Sequence, residues 1–435
     1  MNHQAIIAQI TQTIAIPNAD NIQIGVVLGE QVVISKDWQV GMVGVYFPVE
    51  VQLSEDFTYW NNLNRNKELN ADKTKSAFFD TNRKVRAQPF MKVKSEGFFA
   101  GLECLSYLRS DWETYFKLGD RFSEVDGNEV CRKYISEATR KAKENAAKAK
   151  TKKIKVIEAP LFKEHVSTAQ FKHNLNLIPK GSLIYIQAKI HGSSARQCYT
   201  QVTRKLPTWK SLINKVLPIF KESDWEYIVG TRRVALFQDQ ANKEGFHGKE
   251  AWRFEVLESL KPFIKKNMTI YGEISGYANG KPIMAVHNTE SLKNKALNKK
   301  YGKNMVYKYG CTEGQMRFHV YRITLTTEDG TCIDYSQAQI DQWCADSGVL
   351  GPVTVHPPFL YDGDTEALAK LVDELTERPE VLCEDYIDPS HISEGVIVRV
   401  ETGSTTPLFL KSKSFAFRCL EGIASEDTVD LEDAS

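Results

Sequence analysis

The chain has 435 residues, 42% of them hydrophobic and 26% charged, a balance that suits a soluble globular protein of two or three domains. Lys+Arg number 56 and Asp+Glu 55, leaving a formal charge of +1, which excludes a uniformly basic coat for nucleic acid but not a local basic site. No apolar run reaches the roughly 20 residues of a membrane helix, and the opening MNHQAIIAQI has no basic leader, so neither a membrane span nor a signal peptide is expected. The 8 cysteines are scattered without a CxxC pair among 9 scattered histidines, which predicts reduced thiols in a cytoplasmic protein.

In chain order, short Val- and Ile-rich runs at 22–28, 31–35 and 42–48, followed by further short strands at 84–87, 91–94 and 97–102, predict a small β-barrel over residues 1–125. The stretch IPNADNIQIGVVLG followed by QVVIS resembles the opening of OB-fold domains of the tRNA-binding kind. Residues 126–155, with SEATRKAKENAAKAKTKKIK, favour a basic helical linker, either a solvated helix or an arm that touches phosphates. From 156 to 424 strands are expected at 183–190, 253–256, 268–274, 318–325, 395–400 and 408–413, and helices at 210–220, 336–346 and 365–377. Strands and helices do not alternate regularly and no Gly-rich phosphate fingerprint follows a strand, so a doubly wound sheet is not expected. The expected fold class is α+β and multidomain, with an OB-like barrel leading into a mixed, largely antiparallel domain. An acidic tail covers 425–435.

Five short stretches carry chemistry. Lys189-Ile190-His191-Gly192-Ser193-Ser194 places a lysine at a strand end before glycine, where backbone and a phosphate could approach closely. Tyr271-Gly272-Glu273-Ile274-Ser275-Gly276 puts a carboxylate among small residues. Phe318-His319-Val320-Tyr321-Arg322-Ile323 is an aromatic strand, and Glu394-Gly395-Val396 opens another strand with a carboxylate. Leu410-Lys411-Ser412-Lys413 sets two lysines on one strand face. Each alone also reads as a surface lysine, a turn carboxylate or a core aromatic.

In order and spacing the five resemble the nucleotidyltransferase motifs of the ATP-dependent ligases and mRNA capping enzymes, over about residues 180–420. The KxHG form with GSS after it resembles RNA ligases more than DNA ligases. Relatives commonly carry the OB domain after the last motif, where only about 22 residues remain here. The leading barrel instead resembles the RNA ligase group with an N-terminal OB domain.

The resemblance implies a covalent mechanism. Lys189 would attack the α-phosphorus of ATP and form a lysyl-AMP. AMP would pass to an RNA 5′-phosphate, and a 3′-hydroxyl would displace it. Lys411 and Lys413 would neutralise phosphate charge. Glu394, helped by Glu273, would hold Mg²⁺ or Mn²⁺ or a ribose hydroxyl. Tyr321 would stack on adenine. His191, Gly192, Arg196 and Arg232 (the last beside Thr231) would complete the nucleotide site. The expected partner is RNA or a nicked RNA-containing duplex, with no membrane, and the chain is expected to be a monomer.

Two positions depart from the family pattern. Arg322 stands where relatives often have an acid, and Ala188 stands where many RNA ligases have one before the lysine. Residues 292–310 add six lysines interleaved with Tyr301, Tyr307 and Tyr309, which suits phosphates and stacked bases or else a solvated loop with its tyrosines packed inward. Alternatives are a DNA ligase or guanylyltransferase of the same superfamily, or a catalytically inactive RNA-binding protein.

Overall fold

The computed structural model describes residues 3–137, 139–141, 144, 157–204, 208–214, 223–238, 241, 244–245, 248–378 and 382–423. Residues 145–155 of the expected linker, 215–220 of the helix expected at 210–220, and the acidic tail lie outside them.

The leading part contains β1 (Ala5–Ala15), β2 (Ile22–Val27), β3 (Glu30–Ser35), β4 (Val43–Phe47), β5 (Val51–Leu53), β6 (Ala87–Phe90), β7 (Val93–Glu96), β8 (Phe98–Gly101), β9 (Arg121–Phe122), β10 (Glu124–Val125), β11 (Asn128–Glu129) and β12 (Cys131–Lys133). Its main sheet runs β3-β2-β1-β4-β8, with β9 on β1. The sequence did not announce β1, the strand at the centre of this sheet. Ala5 and Ile7 face a core with Val45 and Phe47, while Ile6, Ala8 and Ile10 face another with Val27 and Val32. A strand buried on both sides loses the alternation that marks a half-exposed one. Besides β9 at its start, it pairs with β4 through residues 6–9 and with β2 from Ile10 onward, with a register shift between Ile10 and Gln12 near where it changes partner.

The hairpin β6–β7 lies about three residues beyond the strands expected at 84–87 and 91–94. Pairing of β12 with β5 carries the strands of this part to Lys133.

The second part holds β13 (Ile157–Glu158), β14 (Ala169–Gln170), β15 (Leu183–Ala188), β16 (Ser193–Arg204), β17 (Ser223–Gly230), β18 (Ala235–Leu236), β19 (Glu244–Gly245), β20 (Gly248–Lys249), β21 (Met268–Ala278), β22 (Lys281–Pro282), β23 (Met316–Thr326), β24 (Cys332–Asp334), β25 (Thr354–Leu360), β26 (Gly395–Glu401) and β27 (Leu408–Lys413). Two sheets dominate, β18-β17-β16-β21-β23-β24 and β14-β27-β26-β15-β25. Among the described ladders only β14–β27 is parallel, so the largely antiparallel α+β class holds.

The helix Thr365–Glu377 starts on Asp364, whose carboxylate accepts from Ala367 N–H, and it buries Leu368 and Val372 against Val396, Val398 and Val400 of β26. Ser336 and Gln339 form a reciprocal capping box for the helix Gln337–Ser347. Residues 253–256 are a correction. Expected as a strand, they lie in the helix Ala251–Leu257, which buries Trp252, Arg253, Phe254 and Leu257. The spacing of 253, 254 and 257 is that of one helix face, and the local Phe-Glu-Val alternation imitates a strand.

The two parts share a core. Val49 and Ala87 of the leading part join the cluster that contains Phe417 and Leu420 of the C-terminal helix Phe415–Ile423. Around it, Arg418 pairs with Glu30 and Glu96, Lys172 with Glu30, and Lys94 with Glu377.

Candidate active site

Lys189 lies between β15 of one sheet and β16 of the other. Its backbone N–H donates to Gly395 O at 2.9 Å, extending the β15–β26 ladder by one step. In that ladder Gln187 pairs with Ile397, and Ile397 with Lys411 of β27. Alternation sends these three to one face, while Ile184, Ile186, Val396, Val398 and Leu410 pack on the other beneath the helix Thr365–Glu377. In the second sheet Ser194 pairs with Glu273, and Glu273 with His319. The cavity between the two faces is lined by Lys189, Gly192, Arg232, Glu273, Tyr321 and Lys411, together with His165, Gln187, Ile397 and Phe409. Six of the residues picked out by sequence thus line one cavity.

Four others do not line it. Glu394 is fully buried behind Lys189, with Oε1 at 2.8 Å from the Lys189 Nζ and at 4.0 Å from the Lys413 Nζ. His191 lies below the wall. Its ring meets Tyr307 and Phe417 edge-on at 4.7 and 4.9 Å, its Nδ1 is 3.7 Å from Glu394 Oε2, and its backbone N–H donates to Tyr309 Oη. The expected nucleotide contact from His191 is therefore corrected to support of the lysine loop from beneath.

Arg196 points away from the cavity. It donates to the carbonyls of Thr231, Phe162 and Lys163 and stacks on Phe162, so it clips two loops together instead of meeting a phosphate. Lys413 is 5% exposed and held by Glu421 at 2.7 and 2.9 Å.

For the tyrosines of residues 292–310 the structure decides between the two readings in favour of inward packing. Tyr301, Tyr307 and Tyr309 are all buried, the last two completely, and are not presented to bases; Tyr307 packs against His191 and His391, Tyr309 against His391, and the Tyr301 hydroxyl donates to Leu382 O. Lysines alternate with tyrosines because the loop turns its aromatics inward and its charges outward.

Arg322 makes a two-bonded fork with Asp334, at 2.5 and 2.8 Å, so the acid absent from β23 is supplied by β24. His165 was not flagged by sequence. It contacts Tyr321 edge-on at 4.9 Å and approaches Phe409 at 5.7 Å. Burial, then Arg322, Arg232 and Lys189, push its pKa well below the usual imidazole range, so it is neutral. A lone histidine in a loop carries no local signal for this placement. Arg253 was also missed as a site residue. Its guanidinium pairs with Glu250 and donates to Ser193 Oγ and Ser194 O, fixing the start of β16.

Among the described residues no three His, Cys, Asp or Glu side chains converge as a metal cluster. Glu273 at the wall and Glu394 behind it offer hard oxygens. They suit a cation that completes its shell with water and phosphate oxygens, as Mg²⁺ commonly does.

Gly395 makes the junction possible. Its φ is +139°, and a Cβ there would lie 2.0 Å from Ser412 O and 2.8 Å from Lys413 Cα. Gly395→Ala is expected to destabilise the protein by about 2–4 kcal/mol through strain and forced separation of β26 from β27. Urea denaturation would measure this, and an unchanged midpoint would refute the tight junction.

No protein-family model matches the sequence, and no curated protein matches it. Solved structures do. The Naegleria gruberi RNA ligase with PPi matches at 16% identity with a TM-score of 0.56, covering 96% of this chain and 98% of that one. A variant of that ligase with ATP and Mn gives 16% and 0.57, over 95% and 98%. A second variant, with AMP and Mn, gives 15% and 0.55, over 95% and 97%. The chain therefore has the fold of that RNA ligase over nearly its whole length.

Proposed function

We propose that this protein is an ATP-dependent RNA ligase working through a lysyl-AMP on Lys189. The carrying observation is that Lys189, Glu273, Tyr321 and Lys411, far apart in sequence, line one cavity between two sheets. The shared fold with a ligase solved with ATP, AMP or PPi supports the reading.

In this mechanism Tyr321, with Ile397 and Phe409 nearby, forms an apolar slot for adenine. Lys411 and Arg232 meet the phosphates. The Lys189 ammonium passes a proton to Glu394, the carboxylate 2.8 Å away, and the neutral amine attacks the α-phosphorus. A P–N bond forms, the bond to the β-phosphate bridging oxygen breaks, and pyrophosphate leaves. The RNA 5′-phosphate then takes AMP from the lysine, and a 3′-hydroxyl displaces AMP to close the strand. A divalent metal held by Glu273, the carboxylate that lines the cavity, would screen phosphate charge during transfer. The leading domain, with its antiparallel sheet, would be the OB-like module that engages the nucleic acid. The basic linker, a monomeric state and a cytoplasmic setting belong to the same proposal. No helix among the described residues is long and apolar enough to cross a membrane.

Incubation with ATP and Mg²⁺ or Mn²⁺, after stripping bound nucleotide, should add one AMP to the intact mass, with peptide mapping placing it on Lys189. Nicked RNA duplexes should then be sealed. Absence of any adduct with ATP under both metals would reject the ligase reading.

A further inference from the structure

Lys413 lies in a cage of carboxylates. Glu421 and Glu394 belong to its own half of the molecule, but Glu50 Oε1, at 3.3 Å, comes from the turn between β4 and β5 of the leading domain. Glu50 is held in an unusual conformation, with φ at +69°. Glutamate is not a residue that favours this region, and such strain persists where the surroundings impose it.

Here they do so from several sides. The Glu50 N–H donates to Val85 O at 3.1 Å, its carbonyl accepts from Tyr134 N–H at 2.8 Å, and the preceding Val49 is buried in the core of the second part. The carboxylate is thereby pushed across the boundary between the two parts. Burial opposes its ionisation, but Lys413, then Lys411, His3 and Lys133, hold its carboxyl well below the usual carboxylate range. It therefore meets Lys413 as an anion.

The Lys413 ammonium is 4.0 Å from the same Glu394 oxygen that holds Lys189. A carboxylate that fixes Lys413 also fixes the electrostatics of the nucleophile. Strand β27 alone does not set where the ammonium goes, because four methylenes give it many rotamers.

We propose that Glu50 is a positioning residue for nucleotidyl transfer: the leading domain supplies a carboxylate that, together with Glu421, places Lys413 beside Glu394 and Lys189. The inference rests on the ligase reading and deepens it. Transfer chemistry in the second part becomes conditional on docking of the first, although every residue touching the nucleotide lies in the second.

The test uses the full chain with Glu50→Gly and Glu50→Gln. Glycine removes the carboxylate and relieves the positive φ, so its thermal midpoint should equal or exceed that of the wild type. Its single-turnover rate of AMP adduct formation at saturating ATP should nevertheless fall at least about tenfold, with the KM for ATP changing less than about threefold. Glutamine keeps an acceptor for the ammonium and should lose less than glycine. A Gly variant that adenylylates at the wild-type rate would overturn the role. So would rate losses that merely follow a lowered midpoint equally in both variants. An unreactive wild-type chain would overturn the ligase reading and this role together, whereas a reactive one with unaffected Glu50 variants overturns this role alone.

Discussion

Lys189→Arg is expected to give a folded protein that forms no detectable AMP adduct, a loss of more than about a thousandfold. The Lys189 side chain is 15% exposed and its Nζ holds the fully buried Glu394 at 2.8 Å. Truncation to alanine would leave that carboxylate with one fewer cation, and lost activity could then reflect lost folding. Arginine keeps the positive charge and can still pair with Glu394. It cannot supply a neutral amine, because its pKa of at least about 12 keeps it protonated at any working pH. The arginine variant therefore separates the nucleophile from the ion pair. Intact mass after incubation with ATP, alongside a thermal melt, is the measurement. An AMP adduct on this variant at a rate near the wild type would show that another side chain is the nucleophile.

The parts of the site that were legible in the sequence are those fixed by strand alternation. Lys189, Glu273, Tyr321 and Lys411 each sit on or beside a strand whose residues alternate between cavity and core, so alternation brings the four to one cavity. Depth was not legible. Lys413 shares the face of Lys411, yet it lies where β27 runs into the C-terminal helix and meets Glu421 and Glu50, a partner 363 residues away. Arg196 follows the lysine closely in sequence, but its guanidinium is captured by backbone carbonyls of two loops that no local pattern predicts. The same limit applied to the fold. The strands at 395–401 and 408–413 were found near their true ends, while β1, whose first residues 5–8 are buried on both faces and so show no alternation, was missed. Residues 253–256 show the converse error, where a short apolar run fitted either period.

The junction between the two parts supplies the largest expected stability effect. Arg418 is 8% exposed, with Nη1 at 3.0 Å from Glu30 and Nη2 at 3.1 Å from Glu96, while its Nε donates to Lys413 O. Glu30 is further held by Lys172 at 3.5 Å, and Lys172 by Asp373 at 2.9 Å. One guanidinium serves two buried carboxylates, and their responses differ. Burial resists ionisation of Glu30, but Arg418, Lys172 and His173 together hold its carboxyl far below the usual range. Glu96 is farther from the lysine, and burial raises its pKa to about 7 despite Arg418, with Glu30 adding repulsion.

Arg418→Ala should cost about 3–5 kcal/mol, because it leaves buried carboxylates without their main cation. The sign of the pH dependence follows from the two shifts. Glu96 binds a proton in the folded chain between about pH 4.5 and 7 that the unfolded chain has released, so its contribution falls as pH rises through that window. Glu30 contributes stability above its unfolded pKa and loses it only in strong acid. Without the guanidinium both carboxyls titrate higher, so the variant should lose more relative to the wild type at about pH 8 than at about pH 5. Denaturation midpoints of the two proteins at both pH values measure this difference. Replacing the cluster together, with Arg418→Met, Glu30→Gln and Glu96→Gln, should recover much of the loss, since no buried charge would then face Arg418's place uncompensated. An Arg418→Ala penalty below about 1 kcal/mol, or one independent of pH, would mean that apolar packing around Val49 and Ala87 holds the two parts together without help from this network.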